Sequence, residues 1–189
     1  MRMLLHTCCA PCLADSLGGW RHHAKEIELY WHNPNIHPYE EYARRLKSAR
    51  LLAGRLGLTL HEDGDAPDEG YGLVGFLRAV AGREEERCGY CIGERLQSAA
   101  RRAELLGFEA FSTTLCVSPH SPHALIREAG ERAAHECGVR FVYEDLRSLN
   151  GCLAALPGSL KLYRQRYCGC VYSELERFGR VAVGAGGRP

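Results

Sequence analysis

The sequence predicts an α/β fold, a single three-layer domain in which a mostly parallel sheet is covered by helices on both faces. Three observations carry that reading. Short apolar runs alternate along the chain with longer stretches at helical spacing, the pattern of strand–helix–strand units. The 189 residues suit one domain with a core large enough to need no disulfide support. Neither an internal repeat nor a linker-like composition shift divides the chain, so residues 1–180 read as one domain and 181–189 as a flexible tail.

Residues 2–7 read as the first strand. Ala10-Pro-Cys-Leu-Ala-Asp-Ser-Leu reads as a turn into a helix that stops at Gly18-Gly19, with Pro11 in the first turn, where its missing N–H is harmless. Ile27–His32 alternates as a second strand, and Asn33-Pro-Asn-Ile-His-Pro38 breaks it. A helix from Tyr39 to Leu56 follows, with Tyr42, Leu46, Ala49, Ala53 and Leu56 on one face. Leu58–Glu62 is a third strand, 62–72 a loop and Leu73–Ala81 a short helix. A charged run, Arg83–Arg87, leads to a cysteine pair and a helix from Gly93 to Leu106. Phe108–Leu115 and Arg140–Asp145 are the fourth and fifth strands, separated by a loop and helix over Pro119–Cys137. Helical pattern returns at Leu153–Arg166 and after Cys170.

The formal net charge of +1 does not mark the chain as a polyanion binder, so any nucleic-acid contact must use a local patch. No apolar run reaches about 18 residues, the length needed to span a bilayer. No charged segment followed by a cleavable apolar stretch opens the chain. A cytoplasmic location without membrane association is expected, where clustered thiols bind metal or do redox chemistry rather than forming disulfides.

Seven of the ten cysteines fall in three groups: Cys8, Cys9 and Cys12; Cys88 and Cys91; Cys168 and Cys170. Each spacing is weak evidence alone. A Cys-x-x-Cys pair serves zinc knuckles and redox enzymes alike. A structural zinc closes with four ligands and would leave three thiols unused, whereas four thiolates for an iron–sulfur cluster and three for a second, open metal account for all seven. The first group sits at a strand-to-helix junction, where a helix N-terminus lowers thiol pKa values. Cys116, Cys137 and Cys152 stand alone and read as buried small residues.

In open α/β sheets the site lies beyond the carboxyl ends of the strands. That rule sends Cys8, Cys9, His32, Asn33, Thr113, Thr114 and Asp145 to one edge. The segments His6–Cys12, Asn33–Pro38, Arg87–Cys91, Phe111–Leu115 with Ser118-Pro119, and Tyr163–Cys170 with Ser173 resemble the cobalamin-independent epoxyqueuosine reductases of the QueH type, from about residue 3 to 178. The resemblance implies a HUP-like (Rossmann-like) fold, a 4Fe-4S cluster and a second mononuclear iron. It further implies two-electron reduction of the epoxide of epoxyqueuosine at the tRNA wobble position, giving queuosine and water, with an external electron donor. Around Ser121–His123 and Gly151–Pro157 the chain departs from the family pattern, which bears on substrate contacts rather than on the metals.

On this reading Cys9, Cys12, Cys88 and Cys91 hold the cluster, and Cys8, Cys168 and Cys170 the second iron, because adjacent Cys8 and Cys9 are expected to point apart. Asp15 is either a proton donor or further ligand, or an acidic residue favoured by the helix dipole. His32, Asn33, Thr113, Thr114 and Asp145, with Tyr163, Arg164 and Gln165 beside the closing thiols, are the candidate substrate contacts. Trp31, Tyr90 and Tyr163 are candidates for stacking an unstacked base. Arg44, Lys47, Arg55, Arg101, Arg102, Arg164 and Arg166 could meet phosphates, or form solvated helix faces. Two other functions compete. One is a cluster-dependent tRNA sulfurtransferase on the same fold, which needs a glycine-rich phosphate loop that Cys8–Ser16 lacks. The other is a non-catalytic zinc module.

Overall fold

A computed structural model of the chain describes residues 1–62, 71–151 and 162–184. Five parallel strands make one sheet in the order β3-β2-β1-β4-β5: β1 (Arg2–His6), β2 (Glu26–Trp31), β3 (Leu60–Glu62), β4 (Ala110–Thr113) and β5 (Arg140–Phe141). The helices are α1 (Ala10–His23), α2 (Tyr39–Leu56), α3 (Leu73–Val80), α4 (Arg87–Leu105), α5 (His123–Cys137) and α6 (Val171–Gly184). A sheet covered on both faces calls for near-continuous apolar strands. Met3, Leu4 and Leu5 of β1, Leu29 of β2 and Phe111 of β4 are accordingly fully buried.

The order reverses at β1, where β2 lies on one side and β4 on the other. This is the switch point at which open α/β sheets place their ligands. A buried polar brace ties the three strand ends together there. His6 pairs in register with Tyr30 and Thr113, and its Nε2 lies 3.1 Å from the His32 carbonyl, which can only accept. The Nε2 hydrogen is therefore donated to that carbonyl, and Nδ1 accepts from the Thr113 hydroxyl at 2.9 Å. Asn33 adds a bond from Nδ2 to the Thr7 carbonyl at 2.9 Å.

Several boundaries differ from the sequence reading. Helix α1 runs through Gly18-Gly19 to His23. A Cβ on Gly19 would come 2.7 Å from Leu146 Cδ2, so that glycine admits a close neighbour rather than ending the helix. Helix α4 begins at Arg87, not Gly93, which puts Cys88 and Cys91 inside its first two turns. The fifth strand pairs over only Arg140–Phe141. Helix α6 reaches Gly184, beyond the expected start of the tail at residue 181. Of the expected Leu153–Arg166 helix, residues 162–166 are not helical and the rest lies outside the described residues, as do the 63–70 loop and Cys152. Among the described residues no helix is long and apolar enough to cross a membrane.

The closing cysteines stand on irregular chain, held by a clamp from α2. Arg45 and Glu41 are 2% and 6% exposed and bond through Nε and Oε1 at 2.6 Å. The two remaining guanidinium nitrogens of Arg45 donate to the carbonyls of Cys168, at 2.8 Å, and Tyr167, at 2.9 Å. The Tyr163 hydroxyl donates to the second oxygen of Glu41. Breaking a buried pair by removing one partner is costly because the other charge stays buried. Arg45→Ala should therefore lower stability by about 3–5 kcal/mol, read from the denaturant midpoint. Arg45→Met with Glu41→Leu should recover more than half of that loss. A loss of under about 1 kcal/mol for Arg45→Ala would show the clamp to be no better than a surface pair.

Candidate metal centre and substrate cavity

The opening thiols are shaped by the turn from β1 into α1. Cys9 is the N-cap of α1, and its Sγ accepts the Cys12 backbone N–H at 3.3 Å. The same turn aims Cys8 and Cys9 at one place, with their sulfurs 3.9 Å apart. The sulfurs of Cys8, Cys9 and Cys12 all lie within 4.8 Å of one another, a group able to bind a metal. The expectation that Cys8 and Cys9 point apart is thus not met: the N-cap conformation turns both sulfurs the same way.

A cavity of about 640 Å³ opens beside this turn, and its wall brings the three cysteine groups together. Cys8 and Cys12 come from the β1–α1 turn, Cys88 and Cys91 from α4, and Cys168 and Cys170 from the clamped loop. Cys9 lies just behind the wall, 1% exposed.

Charge on these sulfurs is set by burial and by N–H, O–H and S–H donors. Hydrogen bonds from Cys12 and Cys9, then from Thr114, hold the Cys8 thiol well below its ordinary range. The Thr114 hydroxyl is 3.4 Å from Cys8 Sγ, and its oxygen also accepts the Cys8 N–H at 3.2 Å. Burial pushes Cys9 up, and donation to Cys8 pushes Cys12 up. Burial pushes Cys91 up to about 12, against the pull of Arg95. It raises Cys88 and Cys168 as well. Gln165 Nε2 lies 3.1 Å from Cys9 Sγ and 3.7 Å from Cys12 Sγ, and Arg95 donates to Cys91 Sγ at 3.1 Å.

The other residues singled out by sequence fall into three groups. Gln165 lines the cavity, and Thr114 reaches it through Cys8. Thr113, Asn33 and His32 sit at the strand ends: Thr113 and Asn33 are fully buried in the brace, and partly buried His32 points its Nε2 at Glu94, 3.2 Å away and more exposed. Asp145, Tyr163, Arg164 and Asp15 are not among the wall residues. Asp145 is held on the surface by Arg147, which keeps its carboxyl well below the usual range. Tyr163 serves Glu41, Arg164 is exposed, and Asp15 accepts the Gly151 N–H at 2.9 Å. Burial raises the Asp15 carboxyl.

Sequence reasoning missed Arg95 and His120 on the cavity wall; Ser118-Pro119 entered it only as part of the resemblance and Ser121 only as a departure from the family pattern, and both lie on that wall. The available signal for Arg95 was its place four residues after Cys91 on one helix, hence on the same face.

Two comparisons with known proteins give one family. A family model described as "Epoxyqueuosine reductase QueH" matches residues 3–176. The chain belongs to the epoxyqueuosine reductase QueH family. The relative of that name from Dehalococcoides mccartyi is 40% identical over 179 residues, covering 95% of this chain and 96% of its own. The QueH of Thermotoga maritima is 33% identical over 180 residues, covering 93% and 91%. The QueH of Streptococcus pyogenes is 32% identical over 178 residues, covering 90% and 69%. A crystal structure of a deacetylase complex from the teicoplanin biosynthesis pathway matches 87% of this chain and 73% of its own at 16% identity and a TM-score of 0.47, too low to bear on the site.

In this QueH family member Gly169 separates the closing cysteines with φ at +151°, a conformation that L side chains rarely adopt. A Cβ there would also come 3.2 Å from Ile36 Cγ1 and 3.3 Å from Asn35 Nδ2. Gly169→Ala should strain this loop by about 1–3 kcal/mol and lower the metal bound per chain after anaerobic reconstitution, while far-UV circular dichroism stays unchanged. Full metal uptake by this variant would show that the geometry of the closing loop is not needed.

Proposed function

We propose that this chain carries out its family's reaction, the two-electron reduction of the epoxide of epoxyqueuosine in the tRNA anticodon to give queuosine and water. The observation that supports it is the meeting of six cysteines, from both ends and the middle of the chain, at one cavity about the size of a small-molecule site, with a seventh, Cys9, 3.9 Å from Cys8 Sγ. Their number and softness fit iron with sulfide better than one closed zinc site. Four thiolates would serve a 4Fe-4S cluster and three a second iron; Cys168 and Cys170 are assigned to the latter together with Cys8 because Cys168 feels the charge of both Cys170 and Cys8, not because Cys8 and Cys9 diverge. Bound there, these groups would supply single electrons and a Lewis-acidic position for the epoxide oxygen.

The remaining wall residues do work suited to that substrate. Arg166 and Arg177 bring positive charge to the cavity, while Arg87 is paired with Glu176 on the same wall; the two match an anticodon backbone on a chain of nearly balanced charge. Ser118, His120 and Ser121 bring hydroxyl and imidazole side chains to the same wall, for contact with a splayed-out modified base and for proton delivery, while the Tyr167 hydroxyl is spent on the His37 carbonyl. Asp15, held by Gly151 and off the wall, is better placed to fix that turn than to donate a proton. The two electrons come from an external donor.

The deciding experiment is anaerobic. The chain is reconstituted with iron and sulfide, assayed for iron, sulfide and zinc, and supplied with reductant and tRNA carrying epoxyqueuosine. Queuosine should form, and tRNA binding should weaken as salt is added. A chain that retains only zinc and yields no queuosine would overturn the proposal. Cys170→Ser should keep most of the cluster's visible absorbance and lose at least about 100-fold in turnover, an activation difference of roughly 2.7 kcal/mol. Parallel loss of absorbance and turnover would instead place Cys170 on the cluster.

A further inference from the structure

Arg95 is 3% exposed, yet among the described residues no carboxylate forms an ion pair with it. Its Nε donates to the Cys91 carbonyl at 3.0 Å and one terminal nitrogen to Cys91 Sγ at 3.1 Å. The groups that act on it electrostatically are thiols from all three cysteine sets: Cys91 first, then Cys168 and Cys8. Arg45, the other fully buried arginine described above, has Glu41 as its counter-charge. A buried guanidinium costs several kcal/mol unless an anion compensates it, and among the described residues the anions found to act on it are sulfur-borne.

We infer that Arg95 is the buried counter-cation of the thiolate site: it offsets the negative charge of the assembled metal–sulfur group and so favours both its retention and its reduction. The inference rests on the proposed function, since it needs an anionic metal–sulfur group beside Cys91. Arg95 is a positioning residue in this scheme. It reaches the reacting atoms through Cys91, Cys168 and Cys8. A positive charge close to a redox centre stabilises the reduced state, which carries one more electron. N–H donors to ligating sulfur act in the same direction.

The test compares wild type with Arg95→Met, Arg95→Gln and Arg95→Lys under anaerobic conditions. It reads iron and sulfide per chain, midpoint potential by spectroelectrochemical titration, and thermal stability of the metal-free chain. Arg95→Met and Arg95→Gln should lose about 10–100-fold in iron affinity and shift the midpoint potential to more negative values. Arg95→Lys, which keeps the charge but not the fork, should fall between them and wild type. The metal-free Arg95→Met chain should be at least as stable as wild type, because an uncompensated charge has been replaced by an apolar side chain of similar length.

If Arg95→Met loses stability without metal and keeps its iron affinity and potential, Arg95 is only a structural brace and the inference fails. If Arg95→Lys falls as far as Arg95→Gln, the charge is not what matters, and the inference fails likewise. Wild type that takes up no iron or sulfide would instead overturn the proposed function itself, an outcome read before any variant is compared.

Discussion

The fold has to hold sulfur atoms from three distant stretches of chain close together, and each is fixed by a different device. The opening group is rigid because β1 is buried in the sheet and α1 starts on it without slack, with Cys9 as the cap. The central pair is rigid because it lies at i and i+3 on α4, so both sulfurs leave the helix on one side. The closing pair has no regular element of its own. Arg45 holds it by two carbonyls, and the His37 N–H holds it by a third, donating to Gly169 O at 2.8 Å. Buried charges and a glycine replace secondary structure where the chain must bend around the site.

This division explains what sequence could and could not reveal. Strand existence was legible because parallel strands buried on both faces are apolar throughout, and the Tyr39–Leu56 helix because its pattern is periodic and Gly57 caps it. The end of α1 was misplaced because glycine has two uses, punctuation and close approach, and Gly19 serves the second against Leu146. The start of α4 was misplaced because Gly89 and Gly93 among charged residues look like a loop, although they lie on a helix that packs through Ile92, Leu96 and Ala99.

The site was legible as chemistry more than as geometry. Cysteine spacing and the strand-end rule located it, but that rule marks a whole sheet edge, and this edge is wider than the cavity. Asp145 at the far end belongs to a surface pair with Arg147, and Thr113 is spent on the His6 brace. The buried arginines were invisible for a related reason. Sequence pattern assigns a charged helical residue to solvent, and only coordinates show that Arg45 meets Glu41 and that Arg95 meets sulfur.

The use of the α1 N-terminus also bears on which chemistry this fold can support. Nucleotide-binding relatives of such sheets leave the first helix's N–H groups open and line the preceding turn with glycine, so that phosphate oxygens can be received there. Here one of those N–H groups, that of Cys12, is already taken by Cys9 Sγ. Pro11 supplies none. The turn has exchanged an anion receptor for a set of sulfur ligands. A phosphate approaching Cys8, whose thiol is already the one held toward its charged form, would meet repulsion instead of donors. The same position in the fold that elsewhere activates a substrate with ATP is therefore committed to sulfur, and to the metal and electron chemistry that sulfur supports.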